Sequence, residues 1–413
     1  MRTFLTILAF TLIAVSRGPG TCSADTLEQI TAEALRKNSE LQAFEQGVTA
    51  AQGGVRTART LQNPELTVAP GFRRIDEGRK TADLFHAEFG VSQLIKFPGK
   101  RALELAIAQR NVDLAKIALE GFRFQLRTKV RRAFYDGLAA EKIAETRTQQ
   151  IESAKALVES AKKRAEAGYV SDFEGVKSQA DLIAAKKALG EAELQHTTAR
   201  MTLNTLMGRS PMTRLTFTGS FDKVRPRESL TDYLGLAMAR NPAIRTQTRQ
   251  VELAGLNLRA TRLSRHPDVA VGPSIEYLDN EQTYGLGAAF ALPLWDQKKG
   301  AIETATAEQK KAVAELEKTR AEVAAEVTRA AATLQTANEQ LRLYSPAFLD
   351  QLKTLMAQAE QGYTQSATTL LIYLDAKRTY FDTLTDYYES LARVAETRSD
   401  LESAVGVPLE IKP

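Results

Sequence analysis

The second half of this chain is a variant copy of the first half. Leu27–Glu40 aligns with Leu230–Ala243, so that Asn38 falls opposite Asn241. The same offset pairs further positions downstream: Val48 with Val251, Pro64 with Pro267 and Pro70 with Pro273. A tandem duplication of this length predicts two similar structural halves within one fold.

The offset between the copies shrinks along the chain. Beyond Gly90, which pairs with Gly287, it falls from 203 to about 197 residues, so the first copy has six extra residues between Pro64 and Gly90. We expect a first repeat over residues 25–226 and a second over residues 227–413. Each should contain a short helix, a longer helix, a strand hairpin, a very long helix, a turn and a long helix.

The N-terminus has the pattern of a secretory signal over residues 1–24. A basic Arg2 precedes an apolar run from Phe4 to Val15, and small residues follow. We expect cleavage after Ala24, and lipidation of Cys22 is the alternative. Cleavage at Ala24 would leave a mature chain without cysteine, so no disulfide would support it.

Two segments, about residues 64–97 and 267–295, show the two-residue period of strand hairpins. The apolar positions of the first strand in each copy fall on one face: Leu66, Val68, Pro70 and Phe72, and later Val269, Val271, Pro273, Ile275 and Tyr277. Strands of about ten residues with one apolar face and one small or polar face are typical of outer-membrane barrels. The alternative is an amphipathic hairpin lying on a soluble helical core.

Four strands cannot close a barrel by themselves. The smallest closed transmembrane barrels have about eight strands, and an open edge in lipid leaves backbone groups unpaired. If the hairpins span a membrane, the protein must therefore oligomerise. Two copies would give eight strands with a filled interior, and three would give twelve strands with a lumen.

Helical hairpins made of long helices are predicted for about residues 99–207 and 298–406. No proline lies between Pro98 and Pro211, and neither glycine nor proline lies between Ala301 and Ser345. The second run has apolar residues spaced by threes and fours, which is a coiled-coil period: Val313, Leu316, Val323, Val327, Ala330, Leu334, Ala337 and Leu341. Such seams suit the wall of a tube, but an ordinary antiparallel bundle has the same seams.

The sequence contains no signature of an enzyme or of a cofactor. Its three histidines, His86, His196 and His266, are far apart and lack metal-ligand spacing. The net charge of +5 is spread among mixed charges, which indicates solvated helical surfaces rather than a nucleic-acid footprint. No segment after the signal offers eighteen consecutive apolar residues, so no transmembrane helix is expected.

The chain resembles the TolC-like outer-membrane factors over essentially its whole mature length. The resemblance rests on the duplication and on two strand-to-helix junctions, SQLIKFPGKR (Ser92–Arg101) and ALPLWDQKKGAI (Ala291–Ile302). The first junction is similar to that of the heavy-metal efflux subgroup, with Leu94 where the subgroup usually has proline. The family resemblance implies three protomers that form one twelve-stranded β-barrel continued by a periplasmic α-barrel, a mainly α fold with a membrane β-barrel.

The resemblance also implies roles for the residues at the junctions. The chain would leave the membrane at Phe97, Pro98 and Gly99, and Gly99 would permit the sharp turn. The aromatic anchors would be Trp295 and Phe97 at the periplasmic surface of the membrane, and Tyr277 and Tyr284 at the opposite surface. The basic residues Lys100 and Arg101 would lie near lipid headgroups. The external loops would be Arg73–Asp83 and Leu278–Thr283.

At the other end of the tunnel, the resemblance implies contact with a periplasmic adaptor and a constriction. The adaptor would meet the helical tips, for which the candidates are Gly168, Tyr169, Asp172, Glu174, Tyr363 and Ser366. Asp375 matches the family's constriction, where acidic residues attract cations. The alternative for Asp375 is a solvated carboxylate or an intrahelical partner of Arg378.

The function expected from the resemblance is the exit duct of a tripartite efflux system. The duct would work with a periplasmic adaptor and an inner-membrane pump of the resistance-nodulation-division type, and would export metal cations. The alternatives are the exit duct of a multidrug or type I secretion system and, more remotely, a soluble periplasmic coiled-coil scaffold.

Overall fold

The computed structural model describes residues 26–77, 80–168, 171–221, 229–279 and 281–409. The expected signal segment, residues 1–24, lies outside the described residues, and so does Tyr169 of the first tip. Among the helices described, none is both long enough and apolar enough to cross a membrane.

Each repeat contains a pair of shorter helices, a strand hairpin and long helices, in that order. The first repeat contains α1 (Leu27–Lys37), α2 (Ser39–Arg59), β1 (Glu65–Glu77), β2 (Lys80–Ile95), α3 (Lys100–Glu166) and α4 (Asp172–Leu206). The second contains α5 (Leu230–Arg240), α6 (Pro242–Leu263), β3 (Val269–Leu278), β4 (Glu281–Phe290), α7 (Lys299–Arg342), α8 (Pro346–Thr364) and α9 (Leu370–Val405). This order confirms the mainly helical fold with four strands.

The expected very long helix of the second repeat is interrupted, so that part of the prediction was wrong. α7 ends at Arg342 and α8 begins at Pro346, whereas α3 runs for 67 residues without a break. Proline lacks an N–H donor and forces the preceding residue out of the helical region. Ser345 is accordingly extended, and its hydroxyl caps α8 by accepting a hydrogen bond from the Phe348 N–H at 3.2 Å.

The connections between the strands are shorter than the sequence predicts. Most of Arg73–Asp83, expected as a loop, belongs to β1 and β2, which pair without a break from Glu65↔Ser92 to Glu77↔Lys80. In the second hairpin, β3 reaches Leu278 and β4 starts at Glu281. The predicted loops were wrong because strand pairing continues through polar residues, whose backbone groups form ladder hydrogen bonds as well as those of apolar residues do.

The four strands form one antiparallel sheet in the order β1-β2-β3-β4. Pairing between β2 and β3 is interrupted opposite Gly272 and Pro273. Proline has no N–H to donate to the ladder. Glycine is required beside it because a Cβ on Gly272 would lie 1.8 Å from the carbonyl oxygen of Val91.

The long helix α3 is the common neighbour of both repeats. It packs against α1, α2 and α4 of its own repeat and against α6 and α9 of the other. Its buried side chains Leu126, Val130 and Phe134 lie in the core of the first repeat. On α7 the predicted seam is largely buried, as Val327, Leu334 and their neighbours form the core of the second repeat, whereas Val313 is exposed.

One buried asparagine in each repeat joins the shorter helices at the start of the repeat to its last helix. Asn38 accepts a hydrogen bond from the Leu41 N–H, which caps α2, and donates another to the Leu206 carbonyl at the end of α4. Asn241 does the same in the second repeat, where it caps α6 through Ala243 and donates to the carbonyl of Ala404 in α9. The alignment of these two asparagines therefore reflects a shared structural role.

Glycine completes the closure at the same place in both copies. Gly208 and Gly406 follow the last helix of each repeat at φ 68° and 83°, a left-handed conformation that glycine adopts without strain. A Cβ on Gly208 would lie 2.9 Å from the carbonyl oxygen of Lys37. In the first repeat Arg209 also hydrogen-bonds Glu33, and this contact lowers the pKa of Glu33 to about 2.

We predict that Asn241→Ala destabilises the protein by about 2–4 kcal/mol, because both the N–H of Ala243 and the carbonyl of Ala404 lose a buried partner. Thermal unfolding of the detergent-solubilised protein measures the effect. Asn338→Ala is the matched control, since Asn338 bonds only the Leu334 carbonyl of its own helix. Equal melting temperatures for the two variants would contradict the closing role of Asn241.

Candidate functional site: the membrane sheet, the junctions and the helical tips

One face of the sheet is apolar across all four strands. The register places Val68 beside Phe89, Phe89 beside Ile275, and Ile275 beside Tyr284. These side chains do not pack against the helical core, and Leu286 on β4 is 85% exposed. The predicted alternation is thus present as a continuous apolar surface, which in water would be an aggregation hazard.

The opposite face of the sheet is small and polar. It presents Gly90, Ser274 and Gly285 in one row across β2, β3 and β4. Nearer the turns of the hairpins, Nε2 of His86 lies 3.0 Å from the Glu276 carboxylate. An apolar outer face and a polar inner face match the two environments of a barrel wall, hydrocarbon outside and water inside.

The sheet has two open edges, one on β1 and one on β4. Each of these strands pairs on one side only in the described chain. In water an open edge is solvated, but in hydrocarbon each unpaired backbone group costs several kcal/mol. The sheet therefore needs further strands wherever its apolar face meets lipid.

The first strand-to-helix junction is held by Asp268, a residue that the sequence analysis did not single out. Its carboxylate accepts hydrogen bonds from the Phe97 N–H at 2.7 Å and from the Lys100 ammonium at 2.8 Å. Gly99 turns the chain at φ 93° and precedes α3. Lys100 thus contacts Asp268, and the ring of Phe97 stacks on His266 with centroids 4.4 Å apart.

Other junction residues are open to their surroundings. Trp295 is 92% exposed in the segment between β4 and α7, and Pro98 and Arg101 are also exposed. Arg101 donates to the carbonyl of Arg59 at the end of α2. Tyr284 is exposed on β4 and Tyr277 is half-buried on β3. Exposure of Trp295 beside the sheet is the arrangement expected of an interfacial anchor.

The two helical tips turn in the same way. Gly168 follows α3 at φ 75° and Ser366 follows α8 at φ 61°. At an offset of 198 residues the duplication places these two positions opposite each other, and both adopt the left-handed conformation. Asp172 and Glu174 lie in the first turn of α4, at the start of the return helix.

Arg164 joins the two tips to each other. Its guanidinium donates to the carbonyl of Tyr363 at 2.9 Å and to the hydroxyl of Ser366 at 3.1 Å. Tyr363 is only 2% exposed and donates its hydroxyl to Glu174 at 3.0 Å. Burial, followed by the hydrogen bond to Glu174, raises the pKa of the Tyr363 hydroxyl. The phenol side chain of Tyr363 thus links the tips and is not displayed to solvent.

A partly buried ion pair lies deeper along the same helices. Lys377 on α9 is 1% exposed and donates to the Asp181 carboxylate on α4 at 2.6 Å. Neither this pair nor the contacts of Arg164 could be predicted from the sequence, because the partners belong to different repeats and no spacing in the chain connects them. Asp375, by contrast, is exposed, while Arg378 pairs with Asp382.

The described residues contain no group of three or more histidine, cysteine, aspartate or glutamate side chains placed to hold a metal ion.

Comparison with known proteins identifies the class of protein that has this combination of membrane sheet and long helices. The family model described as outer membrane efflux protein matches residues 30–209 and 233–407, one match for each repeat. The chain therefore belongs to the outer membrane efflux protein family. Its sheet lies in the outer membrane and its helices in the periplasm.

Individual relatives are similar over nearly the whole chain. The cobalt-zinc-cadmium resistance protein CzcC of Cupriavidus metallidurans is 23% identical over 383 residues, which are 92% of this chain and 90% of that protein. The Campylobacter jejuni CmeC outer membrane channel has a TM-score of 0.79 at 16% identity, covering 98% of this chain and 94% of that one. CusC has a TM-score of 0.77 at 16% identity, covering 95% and 96%.

We predict that Leu286→Arg prevents stable insertion, because an arginine on the lipid face costs about 2–4 kcal/mol near the bilayer midplane. The amount of folded protein in outer-membrane fractions measures this effect. Ala289→Arg, on the opposite face of the same strand, is the control and should insert. If both variants inserted equally well, the assignment of the apolar face to lipid would be wrong, since an exposed site in water tolerates arginine.

Proposed function

We propose that three copies of this chain close into a twelve-stranded barrel, continued by a helical tunnel through the periplasm. The observation that supports this proposal is the sheet with one continuous apolar face and two open edges. Pairing β4 of each copy with β1 of the next would satisfy both edges. Three copies supply twelve strands, enough to leave a lumen rather than a filled interior.

We infer that the assembled tunnel is the exit duct of a tripartite efflux system that exports metal cations. The similarity to a cobalt-zinc-cadmium resistance protein over 92% of the chain supports this choice of cargo. A periplasmic adaptor and an inner-membrane pump of the resistance-nodulation-division type complete the proposed assembly. The duct itself is passive, and we assign it no catalytic residue and no cofactor.

We place the adaptor contact at the two helical tips. Exposed apolar side chains lie in the first turns of α4 and α9, where Phe173, Val176, Leu371 and Ile372 are open to solvent. Gly168, Asp172 and Ser366 lie beside them in the turns. Tyr363 and Glu174 are engaged with each other, so we propose that they shape this surface from within.

We also propose that three copies of Asp375 surround a constriction near the tips. The residue is exposed on α9, two positions before the buried Lys377. Because Lys377 is turned toward Asp181 inside the protomer, its charge is neutralised there. The Asp375 carboxylate is therefore free to act on ions passing outside the protomer core.

Deletion of the gene should make cells sensitive to divalent and related metals such as zinc, cobalt, cadmium, copper or silver, and not to unrelated drugs and dyes. The reason is that the pump loses its exit through the outer membrane. Growth across a panel of both classes measures this, with the plasmid-borne gene as control. Sensitivity to several drugs and dyes would instead favour a multidrug duct.

Asp375→Ala should weaken block of the channel by divalent cations by about fivefold, the effect of losing about 1 kcal/mol of attraction. Conductance of the purified protein in planar bilayers, with and without a divalent cation, measures the change. Asp350→Ala removes another exposed carboxylate, at the start of α8, and is the control. Unchanged conductance and block in Asp375→Ala would remove Asp375 from the constriction.

A further inference from the structure

Four helices near the membrane sheet form a curved layer with a groove on one face. α2 packs on α3, α3 on α6, and α6 on α7. A groove of about 1190 Å³ is lined by residues from all four of these helices. α2 and α7 stand at the two ends of this row of helices. Both can border one groove only if the row bends toward that groove, so the groove lies on the concave face of the layer.

The groove lies close to the strand-to-helix junctions. Its lining includes Arg59, the last residue of α2, and Ala106 to Lys116 on α3, which begins at Lys100. At about 1.5 Å per residue, the groove lies roughly 9 to 24 Å along α3 from the start of that helix. In a closed tube made from three such layers, the concave face of each layer is the inner face.

The lining of the groove is strongly basic. Two acidic side chains, Asp113 and Glu252, stand against five basic ones, giving a net charge of +3: Arg56, Arg59, Arg110, Lys116 and Arg259.

The acidic side chains of the groove are already paired. Arg110 lies 2.6 Å from Asp113 and 3.1 Å from Glu252, and Glu252 is also paired with Arg249. The remaining basic residues of the lining form no ion pair among the described residues: Arg56, Arg59, Lys116 and Arg259. All four are exposed on the concave face.

We propose that these grooves form a basic collar inside the tunnel, just below the barrel, which binds phosphate-like anions and favours anions over cations in that section. The inference rests on the proposed trimer, in which three grooves bring a net charge of +9 around one axis. Charges on the wall of a narrow aqueous passage focus their field into it, and the screening length of about 8 Å at physiological salt is comparable to the reach of the side chains.

Arginine is suited to this role because its planar fork binds oxyanions with two parallel hydrogen bonds. Three of the four free basic residues are arginines. Metal cations would then cross this section with accompanying anions, and free cations returning from the barrel side would meet a positive potential.

Binding of inorganic pyrophosphate to the purified, detergent-solubilised protein tests the collar. Arg56→Gln/Arg59→Gln should weaken binding by about tenfold. Lys311→Gln/Lys318→Gln removes the same charge from the side of α7 opposite the lining residue Gln309 and should leave binding within about twofold. Both pairs are exposed on helices, so both proteins should fold, and glutamine keeps helix propensity.

Reversal potentials in planar bilayers under a KCl gradient provide the second readout. The Arg56→Gln/Arg59→Gln protein should shift toward the potassium potential relative to the control pair. Equal pyrophosphate affinities in the two double variants, or equal reversal potentials, would overturn the collar. Light scattering on the same samples separates this result from a failure of the proposed trimer, because a monomeric wild-type protein would contradict the trimer itself.

Discussion

Backbone N–H and C=O groups that face hydrocarbon must be hydrogen-bonded, and this constraint governs the whole molecule. The sheet satisfies its internal pairs from β1 to β4 but leaves one open edge on each side. A single copy with an apolar sheet face is therefore incomplete in a membrane. In the periplasm, the curved layer of α2, α3, α6 and α7 is likewise incomplete in a single copy. It is an open row of helices and not a closed bundle.

One helix joins the two duplicated repeats. α3 packs against helices of its own repeat and against α6 and α9 of the other. Two partly buried ion pairs also join the two repeats: Arg131–Glu402 at 2.5 Å and Lys377–Asp181 at 2.6 Å. Breaking one partner of such a pair leaves an uncompensated charge, which costs more than the intact pair contributes. Asparagine thus closes each repeat, and the packing of α3 against α6 and α9 together with these ion pairs joins the two repeats.

Much of the fold could be predicted from the sequence because its determinants are periodic or local. The two-residue alternation around Leu66 and Val269 indicated the apolar sheet face, and the heptad seam on α7 indicated its buried side. Local chemistry explains the interruption at Ser345 and Pro346, which the expectation of one very long helix overlooked. The ends of the hairpins were misjudged because polar residues there continue the backbone ladder.

The contacts at the functional regions were less accessible to sequence reasoning. Asp268 reaches Lys100 over 168 residues, and Arg164 reaches Ser366 over 202. The basic groove combines residues of α2, α3 and α6, and the net positive charge of α3 and α6 read along the chain does not show which of their basic residues share one face. Such arrangements depend on how the helices pack against each other. No periodic pattern in a single sequence shows which helices will be neighbours. The pairing of Gly168 with Ser366 was visible only because the duplication aligned them.

The register of the strands also shapes the outer mouth of the proposed channel. Pairing of β2 with β3 ends at His86↔Leu278, while β2 continues to Lys80 against β1. The first hairpin therefore stands taller than the second by residues 80–85, up to about 20 Å at 3.3 Å per residue. Three copies would make a crown of alternating tall and low hairpins.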